Sequence, residues 1–168
     1  MIRAATYVAL AAAAAVLQAT WLADFRPGGA SLDPLLLVVM SVGLAHGPGE
    51  GAVLGAGAGL MQDVMNGVPV GLGIAANVCA GFCAGLGEGR LYLENLWLPA
   101  VAAFVVTVAR NAVWVGLGHM VGLVTVAPPA VARMVVLSAC YNGVAAIPVF
   151  YWFRRLDRTL AELSRRAD

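Results

Sequence analysis

The sequence predicts an all-α integral membrane protein, a six-transmembrane-helix bundle, and three observations carry that prediction. First, 61% of the 168 residues are hydrophobic and only 11% are charged, with a mean hydropathy of +0.86. Soluble domains carry roughly 25% charged residues, and a chain with less than half of that cannot coat a water-facing globule. Second, the apolar residues fall into stretches separated by Gly/Pro turns. Third, Gly47, Gly51, Gly55 and Gly59 recur every fourth residue, the next step lands on Asp63, and the ladder continues through Gly67 to Gly71. On an α-helix a step of four is about 400°, so each rung drifts about 40° and neighbouring rungs share a face. In lipid, such a face lets another helix backbone approach closely, and a carboxylate beside it is expensive unless paired.

The elements follow in chain order. An apolar stretch from about Ala4 to Leu22 is long enough to span a hydrocarbon core of about 30 Å. A cleaved signal peptide is the competing reading, but its basic region would hold only Arg3, and no clean small-x-small site precedes Trp21. Trp21 and Phe25 read as interfacial anchors. Asp33-Pro34 opens a short run, Leu35 to Ala45, with proline in its first turn. His46-Gly47-Pro48-Gly49-Glu50 breaks it, and a second short run follows from Gly51 to Met65. The two are short or tilted spans joined by a tight turn, with a re-entrant pair as the alternative. Asn66-Gly67-Val68-Pro69 is a turn signal, and Gly71 to Gly87 forms the next span. Leu98 to Val121 and Val131 to Phe153 are the longest spans, separated by Pro128-Pro129. A membrane domain of 1–153 is therefore followed by a tail of 154–168.

Arginine placement sets the expected orientation. Arg154, Arg155, Arg158, Arg165 and Arg166 put the C-terminus in the cytoplasm; six spans bring Arg3 and the 88–97 loop with Arg90 to the same side, leaving Arg26 and Arg133 outside. The implied topology is multi-pass, with both termini cytoplasmic. Leu156, Leu160, Leu163 and Ala167 recur at helical spacing among the tail arginines, a pattern suited to anionic lipid or to a cytoplasmic protein.

Few residues could carry chemistry. Asp63 is the carboxylate associated with a span, and Arg110, followed by Asn111, is the arginine near a span's middle. A charge at the bilayer centre costs at least about 2.5–3.5 kcal/mol on insertion scales, so Arg110 should face the bundle interior and have a partner. Asp63 is the expected one, either as an ion pair fixing helix register or as part of a polar, partner-binding pocket. Gln18, Asn77 and Asn142 are amides that can hydrogen-bond across helices or line a cavity with Arg110. Gly47, Gly51, Gly55 and Gly59, with Gly81 and Gly85, are the helix-packing positions; they serve internal packing or docking of a partner's helix. Cys79, Cys83 and Cys140 form no disulfide framework and read as small packing residues. No catalytic constellation, metal-ligand spacing or phosphate-cradling loop is present, so neither enzyme activity nor a cofactor is expected. The net charge of +1 offers no basic field for nucleic acid.

Asp33-Pro34-Leu-Leu-Leu, Gly43-Leu44-Ala-His-Gly47-Pro48, the glycines 51, 55 and 59, Leu60-x-x-Asp63, Gly67-x-Pro69-x-Gly71-Leu72 and Gly81-x-x-x-Gly85 together resemble the rod shape-determining protein MreD family. The resemblance covers Asp33 to Gly85; beyond Glu94 it lies mainly in hydropathy. It implies a non-enzymatic membrane subunit of the bacterial elongation (rod) complex, supporting peptidoglycan synthesis and cell shape. The implied partners are the membrane helix of MreC, MreB filaments, RodA with its penicillin-binding transpeptidase partner, and membrane lipid; a homodimer stays open. The family fold is also similar to the substrate-binding subunits of energy-coupling-factor vitamin transporters, which supplies the alternative function.

Overall fold

The computed structural model describes residues 2–21, 27–89, 97–123 and 128–167, and the side chains within them except those of 2, 27, 128 and 163–167. Six α-helices appear in the predicted order: α1 (Ile2–Thr20), α2 (Pro34–His46), α3 (Pro48–Asn66), α4 (Leu72–Gly85), α5 (Leu98–Met120) and α6 (Pro128–Ala167), with no strand among the described residues. Phe25, Arg26 and Arg90, which figured in the expected topology, lie outside them.

Helix α2 is the axis. Every residue from Leu35 to Leu44 is buried, because a helix with no polar face can be covered on all sides without leaving a side chain unsatisfied. Ser41, its one hydroxyl, donates to the Leu37 carbonyl at 2.7 Å. Against one side of α2, Ala11, Ala14 and Ala15 of α1 meet Leu35, Val38 and Val39. Against another, Leu36, Leu37, Met40 and Leu44 meet Ala80 and Ala84 of α4, Ala103 and Val106 of α5, and Ala146 and Phe150 of α6.

Gly47 alone joins α2 to α3. Its φ of 92° is a left-handed conformation that an L side chain resists, and its N–H closes α2 by donating to the Gly43 carbonyl at 2.8 Å. Pro48 then supplies the fixed φ suited to a helix's first turn. With so short a connection α3 folds straight back along α2, and α4 returns along α3. A Cβ on Gly51 would strike the carbonyl of Gly81, one on Gly55 that of Asn77, and one on Gly59 that of Gly73; a Cβ on Gly85 would strike Pro48. The ladder is therefore filled by the chain's own α4.

Length departs from expectation. Among the described residues, only α5 and the 129–162 portion of α6 are long and apolar enough to cross a membrane. Helices α2 and α4 have 13 and 14 residues, whereas about 20 are needed at 1.5 Å per residue. Glycines and the Gln62-Asp63 pair dilute α3. At the other extreme, α6 runs 40 residues without a break at Phe153. Its Phe153, Leu156 and Leu160 close over Tyr7, Leu10, Val42 and Leu54. There the Tyr7 hydroxyl donates to Asp157 and lies 2.8 Å from His46 Nε2, which is 3.3 Å from the Asp157 carboxylate. Two of the tail's apolar residues thus pack on the chain itself.

The two glycine rows of α3 should respond oppositely to a methyl group. Gly55→Ala should destabilise the protein by roughly 1–3 kcal/mol, because the added Cβ meets backbone. Gly57→Ala, where nothing lies within 4 Å, should be neutral or stabilise by up to about 1 kcal/mol through helix propensity. Thermal unfolding in detergent checks both.

Candidate functional site

Near the start of α2 the interior becomes polar. Asp33 is the N-cap: its Oδ1 accepts the Leu36 N–H at 2.9 Å, satisfying one of the free donors of a helix start. Gln62 of α3 donates through Nε2 to both Asp33 oxygens at 3.2 Å. Arg110 of α5 reaches the same carboxylate, Nη2 to Oδ2 at 3.6 Å. It also donates to Gln62 Oε1 at 2.8 Å, Asn111 Oδ1 at 3.1 Å and Asn77 Oδ1 at 3.4 Å. Asn77 of α4 donates to Gln62 Oε1 at 2.8 Å. From α6, Asn142 accepts the Asp33 backbone N–H at 2.9 Å and donates to Thr107 of α5 at 3.2 Å. Five helices thus meet in one hydrogen-bonded node, and Asp33, Gln62, Asn77, Thr107 and Asn142 are all buried.

The expected Asp63–Arg110 pair does not form. Asp63, also buried, accepts the backbone N–H groups of Gly71 at 2.8 Å, Gly73 at 2.7 Å and Ile74 at 3.4 Å. The reason is local: Gly71 precedes α4 with no side chain to cap it. The free N–H groups and positive dipole end of that helix attract the nearest carboxylate. Gly67, with φ 63° at the end of α3, turns the chain so that Asp63 faces them. Arg110 turns instead to Asp33, which the sequence marks only as a helix start. Gln62, sitting beside Asp63, and Thr107 are further members of the node that sequence reasoning missed. The usable signal was a capping Asp and a glutamine at helix positions within apolar runs.

The node forms part of the lining of a cavity of about 520 Å³. A second cavity, of about 680 Å³, runs between α1 and α3 and is lined by Arg3, Tyr7, Val8, Val53, Gly57 and Met61 among others. Here α3 shows its other small-residue row: Gly49 and Gly57 have no neighbour within 4 Å of an added Cβ, and Val53 is 75% exposed. Cys83 and Cys140 are exposed and Cys79 is half-buried, so the cysteines lie toward the surface instead of filling the core. Among the described residues no group of three or more His, Cys, Asp or Glu could hold a metal.

Polar and charged side chains occupy the interior, while Val8, Val16, Leu17, Val53, Val64, Val101, Val105 and Val144 face outward. This is the arrangement of a helical membrane protein, in which apolar surface meets lipid and polar side chains pair with one another inside the bundle. The model of one family, rod shape-determining protein MreD, matches residues 6–160, and the chain belongs to that family. No curated protein and no solved structure matches it.

A double-mutant cycle separates the two carboxylates. Arg110→Met alone should cost about 3–5 kcal/mol, because it leaves Asp33 buried and uncompensated. Adding Asp33→Asn should recover part of that loss, since asparagine keeps the N-cap and removes the charge. The losses from Asp63→Asn and Arg110→Met should add with no coupling beyond about 0.5 kcal/mol, as read by thermal unfolding.

Proposed function

We propose that the protein is a non-enzymatic, multi-pass inner-membrane subunit of the elongation machinery, which binds the membrane helix of MreC along the open row of α3. The observation that carries this is the contrast between the two faces of that helix. Gly51, Gly55 and Gly59 are consumed by α4, whereas Gly49, Val53 and Gly57 border a groove in which no atom lies within 4 Å of a Cβ added to Gly49 or Gly57. Exposed glycines of this kind admit a second helix at close range, and membership of the MreD family supplies the context for the partner.

In this reading all six helices cross the bilayer with both termini cytoplasmic. The short α2 crosses inside a sheath of protein, where turns at membrane depth are tolerated because protein covers them, and α4 crosses at the edge of the bundle. Arg154, Arg155 and Arg158 then lie on the cytoplasmic side, where they can meet the anionic leaflet or MreB. The polar node makes the bundle rigid enough to couple MreC to RodA and its penicillin-binding partner. Asp63 acts by setting the angle between α3 and α4, and so the groove.

Cysteines at positions 53 and 57 should cross-link to the MreC membrane helix in native membranes, while cysteines at exposed positions of α5, such as 101 and 105, should not. Gly57→Phe should abolish MreC copurification and round the cells while leaving the melting temperature within a few degrees of wild type. Retained copurification with normal rod shape in that variant would rule out the α3 row as the docking face.

A further inference from the structure

The groove of about 680 Å³ between α1 and α3 changes character along its length. One end is lined by Arg3 and Glu50, with Tyr7 and His46 beside them. From there it continues between Ala4, Val8 and Ala11 of α1 and Val53, Gly57 and Met61 of α3. Both helices start at the charged end, so the apolar walls run away from it in one direction. Within α3, the stretch from Glu50 to Met61 rises about 16 Å at 1.5 Å per residue. One leaflet supplies half of a hydrocarbon core of about 30 Å. The groove is therefore as deep as one leaflet, with its charges at headgroup level; with both termini cytoplasmic, as proposed above, that leaflet is the inner one. Val8 and Val53 are exposed, which leaves the groove open sideways to lipid.

The charges at the mouth narrow the occupant. Tyr7 and His46 are engaged with each other and with Asp157. Among the described residues, the ion pairs are His46–Asp157 and Arg110–Asp33, and neither involves Arg3 or Glu50. The mouth thus offers one positive and one negative group to a guest. Helix α3 also starts there with no side-chain cap, which leaves N–H donors of its first turn for an anion. A phosphate would meet Arg3 and those donors, and an ammonium would meet Glu50. A head group carrying only negative charge would set that charge against Glu50, a repulsive contact that selects against it. Both charges and the apolar walls together match a phosphoethanolamine head on an acyl chain.

We propose that the groove holds one inner-leaflet phospholipid with a zwitterionic phosphoethanolamine head, its phosphate at Arg3, its ammonium at Glu50 and an acyl chain along Val8, Val53 and Gly57. The lipid fills the row until a partner's helix displaces it, and only this exchange rests on the docking reading given above. The test is native mass spectrometry of the purified full chain, released from micelles doped with equal amounts of palmitoyl-oleoyl phosphatidylethanolamine and palmitoyl-oleoyl phosphatidylglycerol. Wild type should retain one phosphatidylethanolamine, favoured over phosphatidylglycerol by at least about threefold. Gly57→Phe, which fills the groove, should abolish that retention. Glu50→Gln, at an exposed position, should erase the headgroup preference while one lipid stays bound, and it keeps the proposal falsifiable if Gly57→Phe fails to fold. No retained lipid, equal retention of the two by wild type, unchanged retention in folded Gly57→Phe, or an unchanged preference in Glu50→Gln would each overturn it. Because this mixture holds no MreC, those failures leave the docking face standing, whereas absent cross-links from positions 53 and 57 with the lipid retained would remove the docking alone. Adding a peptide of the MreC membrane helix should release the lipid; lipid and peptide bound together would overturn the exchange.

Discussion

One guanidinium in an apolar bundle organises much of this protein. Arg110 cannot sit unpaired among helices that carry so few charges, and the penalty for a buried, uncompensated charge exceeds that of most packing defects. Asp33 meets it at 3.6 Å, while Gln62, Asn77 and Asn111 take its N–H groups. Because these partners sit on α2, α3, α4 and α5, satisfying one side chain fixes the relative height of four helices. Asn142 extends the same constraint to α6 through the Asp33 N–H and Thr107. Apolar contacts of Leu and Val are non-directional, whereas a network of specific donors and acceptors holds only in one register.

Around that node the packing depends on how close backbones can come. Helices α3 and α4 are held at glycine-to-carbonyl range along their length, which in lipid replaces the hydrophobic drive available in water with dispersion and close polar contact. The close approach also brings Asp63 within reach of the bare start of α4, so the cap depends on the glycines. The opposite end of the bundle uses different chemistry. There Tyr7, His46 and Asp157 join α1, the α2–α3 turn and the extension of α6. The extension is thereby anchored as a continuation of the bundle, with Phe153, Leu156 and Leu160 turned inward.

Several elements are legible in the amino-acid order alone because they rest on rules of spacing. The turns at His46–Glu50 and Asn66–Pro69 are written in Gly and Pro, and the six helices between such breaks follow directly. A period of four in glycine marks a close-packed face whatever the partner. The resemblance to the MreD family also depends on residues in order along the chain. What spacing could not say was which face each row meets. Gly51 and Gly57 look equivalent in a sequence, yet one strikes the Gly81 carbonyl and the other borders open space.

The order of residues along the chain makes it helical, apolar outside, broken at given turns, and burdened with a few buried polar groups needing partners. Those properties are local, set by side-chain type and by the periods of the helix. The partnerships come from the way the helices pack. Asp33 lies 77 positions from Arg110 yet shares its charge, while Asp63, which looked like the natural counter-ion, is claimed by three backbone N–H groups a few residues downstream. Likewise α2, apolar all round, could as well have faced lipid; it became the centre because the single-residue turn at Gly47 folds α3 back along it and glycines let α4 close over both. Pairings of that kind depend on distances across the bundle, which no spacing along one helix can encode.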